Sequence, residues 1–356
     1  MKTRRDFLKL SGLALGALAL PKWADPMLKP KQQFSQSARL GRICQGEEGA
    51  WFHMRTEPNV NAPSAGIVWR DDIIEWKREV IANQFDYNMF NQKWVETPNG
   101  YIYAPLVQPV KNIPNEPLQA LPENPDGKRG MWIEVTVPLA DIIPAVTPVS
   151  YWIRTARKPR VYYSQVFWAY DMRMVDGRPQ YKLMEKWGAE PDTYWVDATA
   201  CRPITADEIT SIHPEAGDKH ILVDLKYQTI SCLEGKNEVF FCETSSGGIM
   251  DGKWMTPTGV HTIWRKMIST HMSSGGVSEY DSPGIGWTTL FDPDGAAIHA
   301  AYWHNLFGTA RSHGCLNCRP EDAKWIWRWT NPEIDYYPGE WTAQGGRTST
   351  KVEILG

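Results

Sequence analysis

IHAAYWHNLFGTARSHGCLN, residues 298–317, gathers His299, His304, Ser312, His313 and Cys315 into one short run. The whole chain of 356 residues holds only eight histidines and six cysteines. A thiolate is a strong nucleophile, yet a free thiol with a pKa of about 8.5 stays mostly protonated at neutral pH. A neighbouring imidazole removes that obstacle by taking the proton. Gly314 lets the backbone turn tightly and come close to a substrate, and N–H groups at such a turn can face a developing oxyanion. The run therefore holds a candidate nucleophile, a candidate base and a candidate oxyanion hole. Taken alone, the residues leave other readings open. Cys315 and Cys318 form a C-x-x-C pair that suits redox chemistry or half of a zinc site. The histidines could join them around a metal, although S-H-G-C lacks the two spaced pairs of structural zinc sites. The same side chains could also be purely structural.

S-H-G-C-L-N, with His299 and Y-W-H-N-x-F-G before it, resembles the catalytic signature of the L,D-transpeptidases, the YkuD-type domain. Ile221–Leu225, Gln228–Leu233, the T-S-S-G of Thr244–Gly247 and the T-P-T-G of Thr256–Gly259 stand in that family's order. The resemblance covers residues 218–355. It implies Cys315 as nucleophile and His299 as proton donor and acceptor, with Ser312, His313 and Gly314 forming the site and its oxyanion hole. Tyr302, Trp303, His304 and Asn317 become candidates for substrate binding. Ala300 follows the base where Gly or Ser is usual, which is tolerable if the carbonyl after His299 orients the imidazole. Asn317 stands where many members carry Arg, which leaves open what recognises the substrate carboxylate.

The implied fold is mainly β, a sandwich-like catalytic domain with a helix after the cysteine. The implied reaction is peptidoglycan cross-linking. A thioester forms on Cys315 at the stem-peptide residue preceding D-alanine, and the amine of a second stem resolves it. No metal and no cofactor are required, and carbapenems are implied inhibitors. An L,D-carboxypeptidase, with water as acceptor, and a wall-binding protein with a dead site are the alternatives. A thiol-disulfide enzyme would need a thioredoxin-like βαβ pattern, which the sequence does not show.

The rest of the chain fits an exported wall protein. Thr3-Arg4-Arg5-Asp6-Phe7-Leu8-Lys9 resembles a twin-arginine signal, and Leu10–Leu20 is uncharged and apolar. That run is too short for a spanning helix, which needs about 20 residues, and fits the apolar core of a signal peptide over residues 1–24. Contact with a membrane is expected only through this signal. Residues 25–40 read as a linker. Residues 41–112 read as short strands separated by Pro, Asn and Gly turns. The R-x-E-P of Arg55–Pro58 and the W-V-E-x-x-x-G-Y-I-Y of Trp94–Tyr103 resemble a bacterial SH3-like barrel. Residues 113–130 carry four prolines and read as an extended connector. Residues 131–205 form a second β-rich block. In it, Tyr194-Trp195-Val196 with Arg202-Pro203-Ile204 echoes Tyr101-Ile102-Tyr103 with Gln108-Pro109-Val110, which suggests a degenerate SH3-like unit. A net charge of −3 offers no basic footprint for nucleic acid.

Further expectations concern the C-terminal part. Lys219–Leu225 and Tyr227–Leu233 should form a hairpin, and Glu238–Thr244 should return after a turn at 234–237. Val260–Arg265 reads as one strand. The Gly- and Ser-rich stretch His271–Gly286 reads as a flap over the cleft. Pro320 followed by Glu321 and Asp322 predicts a helix start, with Trp325 and Trp329 on one face. His53, His213, His220, His261 and His271 show no partner pattern.

Overall fold

The computed structural model describes residues 39–356, apart from 88, 90, 187–188, 274–279 and 345–348. The expected signal peptide and nearly all of the expected linker lie outside the described residues. Three β-rich parts follow one another.

In the first, strands of three to six residues alternate with turns. Leu40–Ile43 lies between Ile73–Glu75 and Val107–Val110 in a three-stranded sheet. Ser64–Trp69, Trp51–Arg55, Gly100–Tyr103, Lys93–Thr97 and Arg78–Ile81 form a five-stranded sheet in that order. Ile43, Met54, Val68, Trp76, Val95, Ile102 and Val107 fill the space they enclose. The proline-rich segment after Val110 has no named strand or helix before Met131.

Residues 131–203 form a seven-stranded antiparallel sheet. In it Arg160–Tyr162 and Val166–Val175 are separate strands, with Ser164 at φ 71 in the bend between them. The echo between the first two blocks has a structural counterpart. In each, a strand leads through a three-residue 3-10 turn, Ala104–Leu106 or Ala198–Ala200, directly into the next strand.

The C-terminal part is a sandwich. One sheet runs Asn237–Glu243, Thr229–Glu234, Lys219–Asp224, Lys351–Leu355, Gly259–Thr262. The other runs Leu316–Cys318, Ala297–Ala300, Asp281–Leu290, Arg265–Ser273, Glu340–Thr342. The strands alternate, so Ile221, Val223, Ile230 and Cys232 of the first face Ile268, Trp287, Ile298 and Leu316 of the second in one buried core. The predicted hairpin and its return strand are present, displaced by a residue or two. The helix Pro320–Trp329 starts where Pro and two acids place it. Its Trp325 stacks on Phe240 at 4.2 Å, Trp327 meets Trp287 edge-on at 5.4 Å, and Trp329 is fully buried. The Lys219 and Lys266 ammonium groups donate to carbonyls at its C-terminal end, Trp329 and Thr330, where the helix dipole favours a cation.

One expectation is corrected here. Val260–Arg265 is not one strand: Gly259–Thr262 belongs to the first sheet and Arg265–Ser273 to the second, with buried Ile263 at the crossing. Of the expected flap His271–Gly286, residues 274–279 lie outside the described residues, and the described parts belong to two paired strands, Arg265–Ser273 and Asp281–Leu290. Gly284 and Gly286 serve packing. A Cβ on Gly284, at φ +64, would stand 2.4 Å from the Phe167 ring, and one on Gly286 2.8 Å from Val166. Bare backbone there lets the middle part lie directly on the C-terminal sandwich. Ser269 Oγ donates to the Val166 carbonyl and Gln165 Nε2 to the Pro283 carbonyl. Trp132, Val166, Trp168 and Ile204 thereby join the core of the sandwich.

Candidate active site

Ala297–Ala300 and Leu316–Cys318 run parallel, with His299 opposite Asn317. Cys315 precedes Asn317 by two residues, the repeat of a strand, and so shares its face. The pairing therefore puts Cys315 and His299 on one side of neighbouring strands, and both open into one cavity of about 1720 Å³.

His299 is 2% exposed. Its Nδ1 stands 3.0 Å from the Ala300 carbonyl oxygen. A carbonyl only accepts, so Nδ1 carries the proton and Nε2 presents a lone pair. Ala300 thus serves as well as Gly or Ser, because its backbone does the orienting. Burial pushes the imidazole down to about 4, against the opposing pull of that carbonyl. Burial pushes the Cys315 thiol up to about 11, offset in part by the backbone N–H of Ala297. The thiol points toward the Gly295 carbonyl oxygen at 3.8 Å. At neutral pH the pair therefore rests as thiol and neutral imidazole.

The loop before Cys315 is tightly held. Ser246 O accepts from the N–H groups of Arg311 and Ser312. Gly314 has φ +146, and a Cβ there would press on the Met255 carbonyl at 3.2 Å. Ser312 Oγ donates to the Cys315 carbonyl and accepts from the Gly314 N–H at 3.1 Å. That bond corrects one expectation: in the free protein the Gly314 N–H already has an acceptor. His313 stacks on Tyr280 at 5.5 Å. The T-S-S-G and T-P-T-G segments meet beneath the loop, where Thr256 Oγ1 accepts from the Gly247 N–H. Gln228, at φ 56, ties Ser246 to the Leu225 carbonyl.

The expected substrate-binding residues divide. Trp303 is half-buried on the cavity wall, its ring 5.9 Å from that of His299. His304 is 1% exposed and accepts at Nδ1 from the Leu306 N–H, while the Asn317 carboxamide meets its Nε2 at 3.0 Å. Both ring nitrogens are engaged, and burial with the nearby charges of Arg311 and His299 lowers it to about 3. His304 is a brace, not a substrate ligand. Asn317 is 3% exposed and spends its carboxamide on His304. Tyr302 is also a brace: its hydroxyl donates to the Pro283 carbonyl and its ring stacks on Tyr162.

Sequence reasoning missed two residues. Arg42, 1% exposed on the first strand, donates to Asp71, to Gln108 and to the Tyr302 carbonyl, and lies over the Tyr162 ring at 4.1 Å. No local pattern marks it. His271 sits between Glu185, at 2.8 Å, and Asp281. Burial works against its charge, but the bonds and charges of Glu185 and then Asp281 prevail and raise its pKa. All three line the cavity, so the middle part contributes a wall of the site.

Residues 218–354 match the model of the L,D-transpeptidase catalytic domain, YkuD. Over these residues the chain is similar to that family. The chain is also similar to solved structures. An Enterococcus faecium L,D-transpeptidase, as a cysteine-to-serine mutant, is 23% identical with a TM-score of 0.31, over 43% of this chain and 56% of that one. The E. faecium catalytic domain acylated by ertapenem is 21% identical with a TM-score of 0.29, over 39% and 97%. An L,D-transpeptidase from Mycobacterium tuberculosis H37Rv is 17% identical with a TM-score of 0.28, over 52% and 76%. The chain spans little more than half the length of the first of these. No curated protein matches the chain.

Proposed function

We propose that the protein is an exported L,D-transpeptidase that forms peptidoglycan cross-links through a thioester on Cys315. The observation that carries this reading is the Nδ1 bond from His299 to the Ala300 carbonyl, which leaves Nε2 as a proton acceptor on the same strand face as the thiol. When a stem tetrapeptide enters the cavity, Nε2 takes the Sγ proton as sulfur attacks the carbonyl preceding D-alanine. The S–C bond forms, and the N–H groups of His313 and Cys315 face the developing oxyanion. The C–N bond then breaks as the imidazolium returns the proton to the departing amine. In the second half the amine of another stem loses a proton to Nε2, attacks the thioester and expels the thiol. Because the resting pair is neutral, the ion pair forms only as the substrate reacts.

The twin-arginine-like start supports export, with folded protein delivered to the wall side of the membrane. The first block supports an SH3-like role, bracing the domain through Arg42. The E. faecium domain acylated by ertapenem supports carbapenems as covalent ligands of Cys315. The deciding experiment gives purified protein a disaccharide-tetrapeptide and follows products by mass. Cross-linked dimer, or exchange of the fourth residue for a D-amino acid, is the expected result. Tripeptide alone at every donor concentration means an L,D-carboxypeptidase, and intact tetrapeptide means a dead site.

A further inference from the structure

We propose that Arg311 binds the carboxylate beside the reacting nitrogen, on the departing D-amino acid and again on the acceptor centre. This assignment rests on the proposed function and names the group that selects its substrates. Asn317, where many relatives carry a cation, is buried against His304 and cannot do so. Arg319, the next arginine in sequence, is committed to Glu243 and Asp322. Among the cations that line the cavity, Arg160 is held by Asp141 and Asp71. Arg70 donates to the Gly46 carbonyl, and Lys158 has a partner as well. Arg311 is exposed on the same wall, and among the described residues its guanidinium makes no hydrogen bond or ion pair.

Its placement suits the chemistry. The Arg311 N–H donates to Ser246 O at 2.7 Å, and Ser312 beside it bonds the Cys315 carbonyl. The root of the side chain is thereby fixed relative to the nucleophile. Arg311 acts electrostatically on His304, after burial, and on the Cys44 thiol. Arg311 lines the same cavity as Trp303, His299 and Cys315. There the imidazole returns its proton to the leaving amine. D-alanine leaves as an amine with a carboxylate on the adjacent carbon. The D-centre of an acceptor diamino acid offers the same arrangement. One planar cation in this position accepts either carboxylate in a bidentate pair. The same group then serves both half-reactions, because the attacking nitrogen occupies the place the leaving nitrogen vacated.

The test compares disaccharide-tetrapeptides ending in a free carboxylate or a C-terminal amide, reading the acyl-enzyme by intact-protein mass. It then compares D-methionine with D-methionine amide as the resolving amine. Wild type should prefer the carboxylate in both. Arg311→Gln should raise KM for the carboxylate compounds and shrink the carboxylate-to-amide preference about 10- to 100-fold, the range for a hydrogen bond to a charged group. Arg311→Lys should restore part of the preference. Wild-type acylation with the preference unchanged in a folded Arg311→Gln, or with both compounds lost equally, overturns this assignment alone. No acyl-enzyme on wild-type Cys315 with any stem overturns the proposed function, and this assignment with it.

Discussion

The Arg42 guanidinium donates to the carbonyl oxygen of Tyr302 at 2.7 Å, across 260 positions of sequence. Tyr302 lies three residues beyond His299, so a side chain of the first block helps fix the strand end that carries this histidine. Arg42 also pairs with Asp71 at 2.9 Å, almost wholly out of water. Removing one member of such a buried pair costs about 3–5 kcal/mol, since the partner charge is left behind. Arg42→Met should lower the denaturation midpoint accordingly and slow acylation of Cys315 in the protein that remains folded. A variant of unchanged stability would show that the contact carries no weight.

Cys315→Ala should abolish thioester formation with little change in stability. Ertapenem should add a single mass to wild type and none to this variant. Cys318, in the same C-x-x-C pair, is fully buried against the sandwich core and should stay unlabelled. An adduct that survives in Cys315→Ala would assign the wrong sulfur.

The two buried histidines should respond differently. His299→Gln should lower the acylation rate about 10²- to 10⁴-fold, the range for loss of a general base, while the fold persists. His304→Gln should cost about 1–3 kcal/mol of stability by breaking the Asn317 and Leu306 bonds, with the folded fraction still acylating. The reverse pattern would make His304 the base.

The neutral resting pair has a pH signature. With the thiol near 11 and the imidazole near 4, iodoacetamide should alkylate Cys315 slowly at neutral pH. The rate should climb tenfold per pH unit through the neutral range. A plateau from pH 6 to 8 would reveal a preformed thiolate–imidazolium pair instead.

His271 couples stability to pH with a definite sign. Its folded-state pKa is raised by Glu185 and Asp281 despite burial. Its stabilising contribution is therefore complete below the unfolded value of about 6.5 and fades as pH rises through the folded value. His271→Asn should flatten the stability profile above pH 6.5. Identical profiles for the two proteins would mean the carboxylates do not hold a charged ring.

Much of the site was legible because its parts are close in sequence. Cys315, Gly314 and His299 follow from one run, and a Pro with two acids marked the helix at 320. What stayed hidden depends on contacts with no local trace. Arg42 is an ordinary arginine on an apolar strand until Asp71, Gln108 and Tyr302 surround it. The glycines at 284 and 286 suggested mobility, whereas they clear room for Val166 and Phe167. His304 shares the run with the nucleophile but turns inward, because Leu306 and Asn317 take both its nitrogens.

The close seating of Val166 and Phe167 on the bare backbone at 284 and 286 bears on how this chain can be cut and recombined. Fragment 218–356, expressed by itself, would bare the apolar patch now covered by Trp132, Val166 and Trp168, and such a patch favours aggregation. The boundary drawn by sequence similarity thus cuts through a continuous apolar core. Grafting the domain onto another amino-terminal partner would need either those tryptophans transplanted with it or a resurfaced hairpin.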